Sequence, residues 1–86
     1  MNPLNQKIGE IIRQKRVAKN MTQLQLSTLL GYESTQFISL FERGLSKVPL
    51  NVLGKLSVIL EIPAKRFQNL LVADFKNKLQ TEMRPR

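Results

Sequence analysis

The stretch that decides the fold runs from Met21 to Gly44 and reads MTQLQLSTLLGYESTQFISLFERG. Thr22 precedes a run of leucines at helical spacing, and Gln25 stands three positions later, which is the pattern of a capping box at a helix start. Gly31 follows the last leucine of the run, and glycine is a common residue just past a helix end. We therefore predict a short helix from Thr22 to Gly31.

A second short helix is predicted after a tight turn. Ser34 is a good N-cap residue, and Ile38 and Phe41 give the helix an apolar face. The helix is expected to cover residues 34–43 and to end at Gly44. Two short helices joined by a turn that contains glycine form a helix-turn-helix, whose second helix can enter the major groove of DNA. Spacing alone is weak evidence, because other small helical bundles contain similar turns.

Helical spacing continues upstream of this segment. Ile8, Ile11 and Ile12 form one apolar stripe, which predicts a first helix over residues 6–19. Asn20 tolerates the left-handed conformation that often ends a helix. The residues before position 6 are expected to form a disordered stub.

Two further helices are predicted downstream. Pro49 suits the first turn of a fourth helix, and Pro63 obliges that helix to end by Ile62. A fifth helix is expected over residues 64–83, with a frayed tail over residues 82–86. No run of strict apolar alternation indicates a strand. The chain is therefore predicted to be all-α, a compact five-helix bundle in which the two short helices are the second and third.

Composition restricts both the partner and the chemistry. The 86 residues fit one domain, and 14 Lys and Arg against 6 Asp and Glu give a net charge of +8. This charge favours a negatively charged partner, nucleic acid first and a membrane surface second. The chain has no Cys and no His, and its carboxylates are scattered singly. We therefore expect no enzyme activity, no metal and no cofactor.

Signals for membranes and secretion are missing from the sequence. The longest apolar runs have about four residues, against the roughly 20 that span a bilayer. No apolar segment follows the amino terminus as a secretory signal would. We expect a cytoplasmic protein without an inducer-binding or catalytic domain.

A further pattern is spread over the first four predicted helices. It comprises Ile8-Gly9, Ile12-Arg13 and Arg16, then Met21-Thr22-Gln23, Leu26-Ser27 and Leu30-Gly31, then Gln36-Phe37-Ile38-Ser39 and Glu42-Arg43-Gly44, and finally Leu53, Leu56-Ser57 and Leu60. In these positions the chain resembles the phage repressor and Cro-like helix-turn-helix family, also called the XRE family. The resemblance implies a lambda-repressor-like fold with the helix-turn-helix at helices 2 and 3, and binding to double-stranded DNA.

Two positions depart from the family pattern. The turn after Gly31 is one residue longer than the commonest form, which is expected to rotate or shift the third helix. Ser27 stands where the family usually has Ala, and Ser is small enough to let the second and third helices approach each other.

The resemblance also implies contacts with the bases. In the family the first turns of the third helix face base edges, and this places Thr35, Gln36, Ser39 and Leu40 at the groove. The amide of Gln36 can pair bidentately with adenine, and the hydroxyl groups can bond a base or a phosphate. Leu40 can contact only a thymine methyl. The alternative for all four is an ordinary exposed helix residue.

Contacts with the DNA backbone are expected on both sides of that helix. Thr22 and Gln23 lie at the start of the second helix, where free N–H groups and the helix dipole favour an anion. Arg43, Lys47 and Asn51 follow between the third and fourth helices. The alternative for these residues is a solvated surface.

Two other residues are assigned with the help of the resemblance, and Phe37 is considered from its position beside Ile38. Arg16 and Glu42 correspond to an interior ion pair that joins the first helix to the end of the third, and we expect a structural role for it. Phe37 has two interpretations, packing against the core, which we favour, or contact with a sugar or a thymine methyl.

The fifth helix lies largely outside the resemblance. Its residues Phe67, Leu71, Phe75 and Leu79 form more apolar surface than so small a body covers, so we expect a homodimer interface there. A two-fold dimer would place two third helices about 34 Å apart on a pseudo-palindromic operator. The basic residues around this stripe leave a membrane-surface helix as an alternative.

These expectations combine into one predicted function. Residues 1–63 are the helix-turn-helix DNA-binding core, and residues 64–86 form the carboxy-terminal helix for packing and dimerisation. The protein is predicted to be a sequence-specific transcriptional regulator, a repressor, that reads the major groove with residues 34–43. The competing prediction is a protein-interaction module, such as an antitoxin-like partner that uses the last helix and binds DNA secondarily. A nonspecific nucleic-acid binder is the third possibility.

Overall fold

Five α-helices joined by short turns make up residues 2–83, the part of the chain that the computed structural model describes. The helices are α1 (Pro3–Ala18), α2 (Gln23–Leu29), α3 (Gln36–Glu42), α4 (Leu50–Ile59) and α5 (Ala64–Met83). The described part of the chain contains no strand. The prediction of an all-α, five-helix fold is confirmed.

The helix α1 begins earlier than the sequence analysis predicts. The Asn2 side chain accepts hydrogen bonds from the backbone N–H groups of Leu4 at 2.9 Å and Asn5 at 3.4 Å. Pro3 occupies the first position of the helix, where its missing N–H group costs nothing. The expected disordered stub before residue 6 is therefore wrong for residues 2–5, because Asn2 and Pro3 together start a helix.

The signals at the start of α2 and at the ends of α1 and α2 act as expected. The hydroxyl of Thr22 accepts from the N–H of Gln25 at 3.0 Å, and the Gln25 side chain accepts from the N–H of Thr22 at 2.8 Å. This reciprocal pair confirms the capping box. Asn20 and Gly31 both have positive φ angles, 55° and 84°, and each follows the end of its helix. Helix α5 remains helical through Met83, and the rest of the expected frayed tail lies outside the described residues.

Side chains from all five helices form one apolar core. It consists of Ile8, Ile11, Ile12, Leu26, Leu30, Ile38, Phe41, Val48, Val52, Leu53, Leu56, Leu60, Ile62 and Phe67. Burial of an apolar side chain of this size contributes about 1.5 to 3 kcal/mol relative to exposure. The core therefore holds the short helices α2 and α3, which are too short to be stable alone in water.

Two glycines bring the end of α3 against α1. A Cβ atom on Gly9 would lie 2.2 Å from the carbonyl oxygen of Phe41, so only glycine fits at this crossing. Gly44 ends α3 with a φ of 71°, and a Cβ atom there would lie 2.8 Å from the Cα of Gln6. The backbone of α1 is thus the platform that positions α3.

Candidate nucleic-acid interface

The helix α3 presents one side to the core and the other outward. Ile38 and Phe41 are buried. With about 100° of rotation per residue, Gln36 and Leu40 lie on the opposite side of the helix. Gln36 is exposed and Leu40 is half-buried. The outward side therefore carries an amide and an apolar group, which are side chains able to contact base edges.

The start of α3 differs from the prediction by two residues. The helix begins at Gln36, and Thr35 is the N-cap residue, without a side-chain cap bond. Ser34 is not the N-cap residue, although its hydroxyl accepts from the N–H of Gln36 at 3.3 Å. Thr35 has a φ of −79° and a ψ of −2°, so the chain is already turning there before the helix begins. The predicted range 34–43 is corrected to residues 36–42.

The turn before α3 is fixed by backbone hydrogen bonds and by aromatic contacts. The N–H of Tyr32 donates to the carbonyl of Ser27 at 2.9 Å, and the N–H of Gly31 donates to Thr28 at 3.0 Å. These two bonds are those of a Schellman motif. The ring of Tyr32 then stacks on Phe37, with centroids 4.8 Å apart. The orientation of α3 is therefore set at its first turn as well as at its end.

A buried ion pair fixes the end of α3. The Nε of Arg16 lies 2.6 Å from Oε2 of Glu42, and Nη2 lies 3.0 Å from Oε1, so the contact is bidentate. The Glu42 side chain is only 3% exposed. The hydrogen bonds that Arg16 donates to the Glu42 carboxylate raise the pKa of Arg16 above its ordinary value, so the guanidinium stays charged. The two residues expected to pair are thus in direct contact.

Two further hydrogen bonds extend this pair to α2. Nη1 of Arg16 donates to the carbonyl of Met21 at 2.8 Å. The amide of Gln23 donates to Oε1 of Glu42 at 3.2 Å. This second contact is not predicted from the sequence, since the resemblance associates Gln23 with DNA and nothing in the sequence indicates an internal partner. The network joins α1, α2 and α3 through one carboxylate.

The other residues expected at the DNA backbone lie on the surface. Arg43, Lys47 and Asn51 are exposed, around the end of α3 and the start of α4. The Nε of Arg43 donates to the carbonyl of Ser39 at 3.3 Å, which holds the guanidinium near α3. Thr22 is also exposed, and its hydroxyl takes part in the capping box as an acceptor.

The apolar residues of α5 divide between the core and the surface. Phe67 is 3% exposed and belongs to the core of its own chain, so its expected place at a dimer interface is wrong. Leu71 is partly buried against the same core. Phe75 is 66% exposed and Leu79 is 48% exposed. A four-residue repeat advances about 40° around a helix at each step, so this stripe rotates from the core side to the solvent side.

The helix-turn-helix geometry agrees with a comparison against protein families. A family model described as helix-turn-helix matches residues 12–67 of the chain. The chain belongs to this helix-turn-helix family. The match confirms the resemblance to the phage repressor and Cro-like, or XRE, type. As a family member it is a DNA-binding transcriptional regulator.

A search of curated proteins and the character of the helices add two findings. No curated protein matches the chain significantly. Among residues 2–83, none of the helices combines the length and the apolar character of a membrane-spanning segment.

Proposed function

We propose that the protein binds double-stranded DNA sequence-specifically, with the outward side of α3 in the major groove. The observation that carries the proposal is that α3 is fixed at both ends. The stacking of Tyr32 on Phe37 holds its first turn, and the Arg16–Glu42 pair holds its last. The Gln36 side chain nevertheless remains exposed on its outward side. A side chain on a rigid element reads bases more accurately than one on a loop.

Gln36 is the residue that we propose reads a base directly. It lies in the first turn of α3. Its amide NH₂ group can donate to N7 of an adenine while its amide oxygen accepts from the N6 amino group, and this pairing uses both ends of the amide. Thr35, Ser39 and Leu40 surround it and complete the proposed base contacts. The hydroxyl of Thr35 forms no cap bond, which leaves it available to DNA.

We propose that the phosphate contacts come from both sides of the groove. The exposed residues Arg43, Lys47 and Asn51 lie beyond the end of α3, and Thr22 and Gln23 lie at the start of α2. In the structure the amide NH₂ of Gln23 donates to Glu42, and its second N–H remains for a phosphate oxygen. The net charge of +8 attracts the duplex over longer distances.

Two variants test these roles separately. Gln36→Ala is expected to reduce the preference for the cognate base pair while the salt dependence of binding stays the same. Lys47→Ala is expected to weaken binding to all sequences and to reduce the log–log salt slope by about 0.9 per lost phosphate contact. Fluorescence anisotropy titrations from low to moderate salt, on a preferred duplex and on a scrambled one, measure both quantities. If Gln36→Ala behaves like Lys47→Ala, Gln36 does not read a base.

We propose in addition that the protein acts as a homodimer through the second half of α5. The supporting observation is a solvent-exposed apolar stripe on this half, formed by Val72, Phe75, Leu79 and Met83. These four residues fall within about 80° of one another around the helix. A stripe of this kind on a small domain is typical of an interaction surface. Residues 1–63 then supply the DNA contacts, and residues 64–86 the association.

Sedimentation velocity tests the homodimer against the competing proposal of a protein-interaction module. Wild-type protein is expected to sediment as a dimer at high micromolar concentration, and Phe75→Glu is expected to sediment as a monomer. Wild-type protein that stays monomeric with and without DNA contradicts the dimer. A monomer that captures a stoichiometric protein partner through α5, and binds DNA without sequence preference, favours the interaction module instead.

Repression is the regulatory outcome that we propose. Covering a promoter requires only DNA binding, whereas activation requires a further contact with the transcription machinery. In a purified transcription reaction, the protein is expected to reduce transcripts from a promoter that overlaps its selected site. An increase in transcripts contradicts repression and leaves the DNA-binding proposal intact.

A further inference from the structure

Phe37 is a large apolar side chain in the first turn of α3, next to Gln36. It is 47% exposed, whereas Phe41, one turn further along the helix, is 1% exposed. An isolated exposed apolar residue needs no explanation in itself. The Phe37 ring, however, lies against the rings of Tyr32 and Phe41, which restrict its position.

The ring of Phe37 is held in a fixed position by other aromatic rings. Tyr32 stacks on it with centroids 4.8 Å apart and an angle of 28° between the ring planes. Phe41 lies 6.2 Å from Phe37 and 6.4 Å from Tyr32, and it anchors this cluster in the core. One part of the Phe37 ring is therefore covered and the rest is presented to solvent. A ring held in this way loses little conformational freedom when it binds a ligand.

The major groove offers one apolar group to such a ring, the 5-methyl group of thymine. Consecutive Cα atoms lie about 3.8 Å apart, close to the roughly 3.4 Å rise between base pairs. If Gln36 pairs with an adenine, the Cα of its neighbour Phe37 is displaced by about one base-pair rise, and the Phe37 side chain leaves the helix about 100° further round than that of Gln36.

We propose that Phe37 is a specificity-determining residue that contacts the 5-methyl group of a thymine within one step of the base pair read by Gln36. The inference rests on the proposed function, since it requires α3 to lie in the major groove. Tyr32 is the positioning residue for this contact, because it covers the other side of the ring.

Replacing thymine by deoxyuridine removes the methyl group and leaves the hydrogen-bonding edge unchanged. Each thymine of a selected duplex is replaced in turn, and the Kd of wild-type protein is measured for each duplex. At least one thymine in a half-site is expected to show a loss of about fourfold, which corresponds to the ~0.8 kcal/mol of one buried methylene-sized group. In Phe37→Ala the same replacement is expected to have no effect.

Val58→Ala is the matched control, since Val58 is an exposed apolar residue on α4. It is expected to keep the full sensitivity to deoxyuridine. If Phe37→Ala keeps the full sensitivity at every thymine, the inference is overturned, because other side chains, such as Leu40, then contact those methyl groups. A wild-type protein that prefers one sequence but tolerates every deoxyuridine also overturns it, and leaves the proposed function standing. Selected duplexes without a common sequence overturn the proposed function itself.

A second measurement on wild-type protein covers the case in which Phe37→Ala does not fold. The sensitive thymine is replaced by 5-iododeoxyuridine, whose iodine occupies the position of the methyl, and the complex is irradiated and digested with trypsin. Cleavage after Lys19 and Arg43 gives a peptide of residues 20–43 that contains Phe37. A crosslink on Phe37 supports the inference, and a crosslink on another residue, or none, overturns it.

Discussion

Removal of the Glu42 carboxylate is expected to destabilise the protein strongly. The side chain is 3% exposed and accepts hydrogen bonds from Arg16 at 2.6 Å and 3.0 Å and from Gln23 at 3.2 Å. Glu42→Ala leaves the guanidinium of Arg16, which is also largely buried, without its counter-charge. Breaking a buried pair in this way typically costs about 3 to 5 kcal/mol. For a domain of this size, 1 kcal/mol corresponds to about 4 to 8 °C in Tm, so Tm is expected to fall by at least about 12 °C.

Thermal unfolding followed by far-UV circular dichroism measures this loss. Glu10→Ala is the matched control, because it removes the same charge from an exposed position on α1 and is expected to change stability by less than about 0.5 kcal/mol. A double variant, Arg16→Met with Glu42→Met, removes both charges and is expected to be more stable than Glu42→Ala. The reasoning is refuted if Glu42→Ala and Glu10→Ala have the same Tm, since the pair would then contribute nothing.

Three further predictions follow from contacts elsewhere in the fold. Gly9→Ala is expected to lower the free energy of unfolding by about 1 to 3 kcal/mol because its Cβ would meet the Phe41 carbonyl. Gly54→Ala, in the open middle of α4, is expected to raise it by about 0.4 to 1 kcal/mol. Equal urea midpoints for the two variants would contradict the close crossing of α1 and α3. Ser27 is fully buried, and its hydroxyl has no hydrogen-bond partner in the described part of the chain. Ser27→Ala is therefore expected to raise the free energy of unfolding by about 1 kcal/mol. A lower Tm in this variant would show that the hydroxyl is bonded. The hydrogen bond from Lys19 lowers the pKa of Glu61 below its ordinary value. The small stabilisation from this pair is therefore present above the ordinary glutamate pKa and is lost as the pH falls through the lowered pKa. Titration by NMR is expected to give a low pKa for Glu61 in wild-type protein and an ordinary one in Lys19→Gln, and an identical pKa in both would disprove the contact.

Local signals in the sequence are enough to predict most of the helix ends. The capping box of Thr22 and Gln25 and the left-handed positions of Asn20 and Gly31 depend on residue type alone, because each satisfies backbone groups within a few positions. The start of α1 shows the limit of apolar spacing as a signal. Asn2 and Pro3 are a helix start, but the polar residues after them interrupt the apolar pattern on which the predicted boundary depends.

Contacts between distant residues are harder to predict. The pairing of Arg16 with Glu42, 26 positions apart, is predicted by the resemblance to a family and not by any local pattern. The bond from Gln23 to Glu42 depends on how α2 and α3 cross, which no local rule specifies. The apolar spacing of α5 predicts one surface, whereas its four-residue period turns Phe67 into the core and leaves Phe75 and Leu79 outside.

The central claim is that the outward side of α3 reads base pairs. The most direct test is a selection from randomised duplexes, carried out in parallel with wild-type protein and with Gln36→Ala and followed by sequencing. Wild-type protein is expected to enrich one motif with an adenine in each of two symmetric half-sites, and Gln36→Ala is expected to lose the preference at that adenine alone. Duplexes without a shared motif, or the same motif from both proteins, would contradict the account.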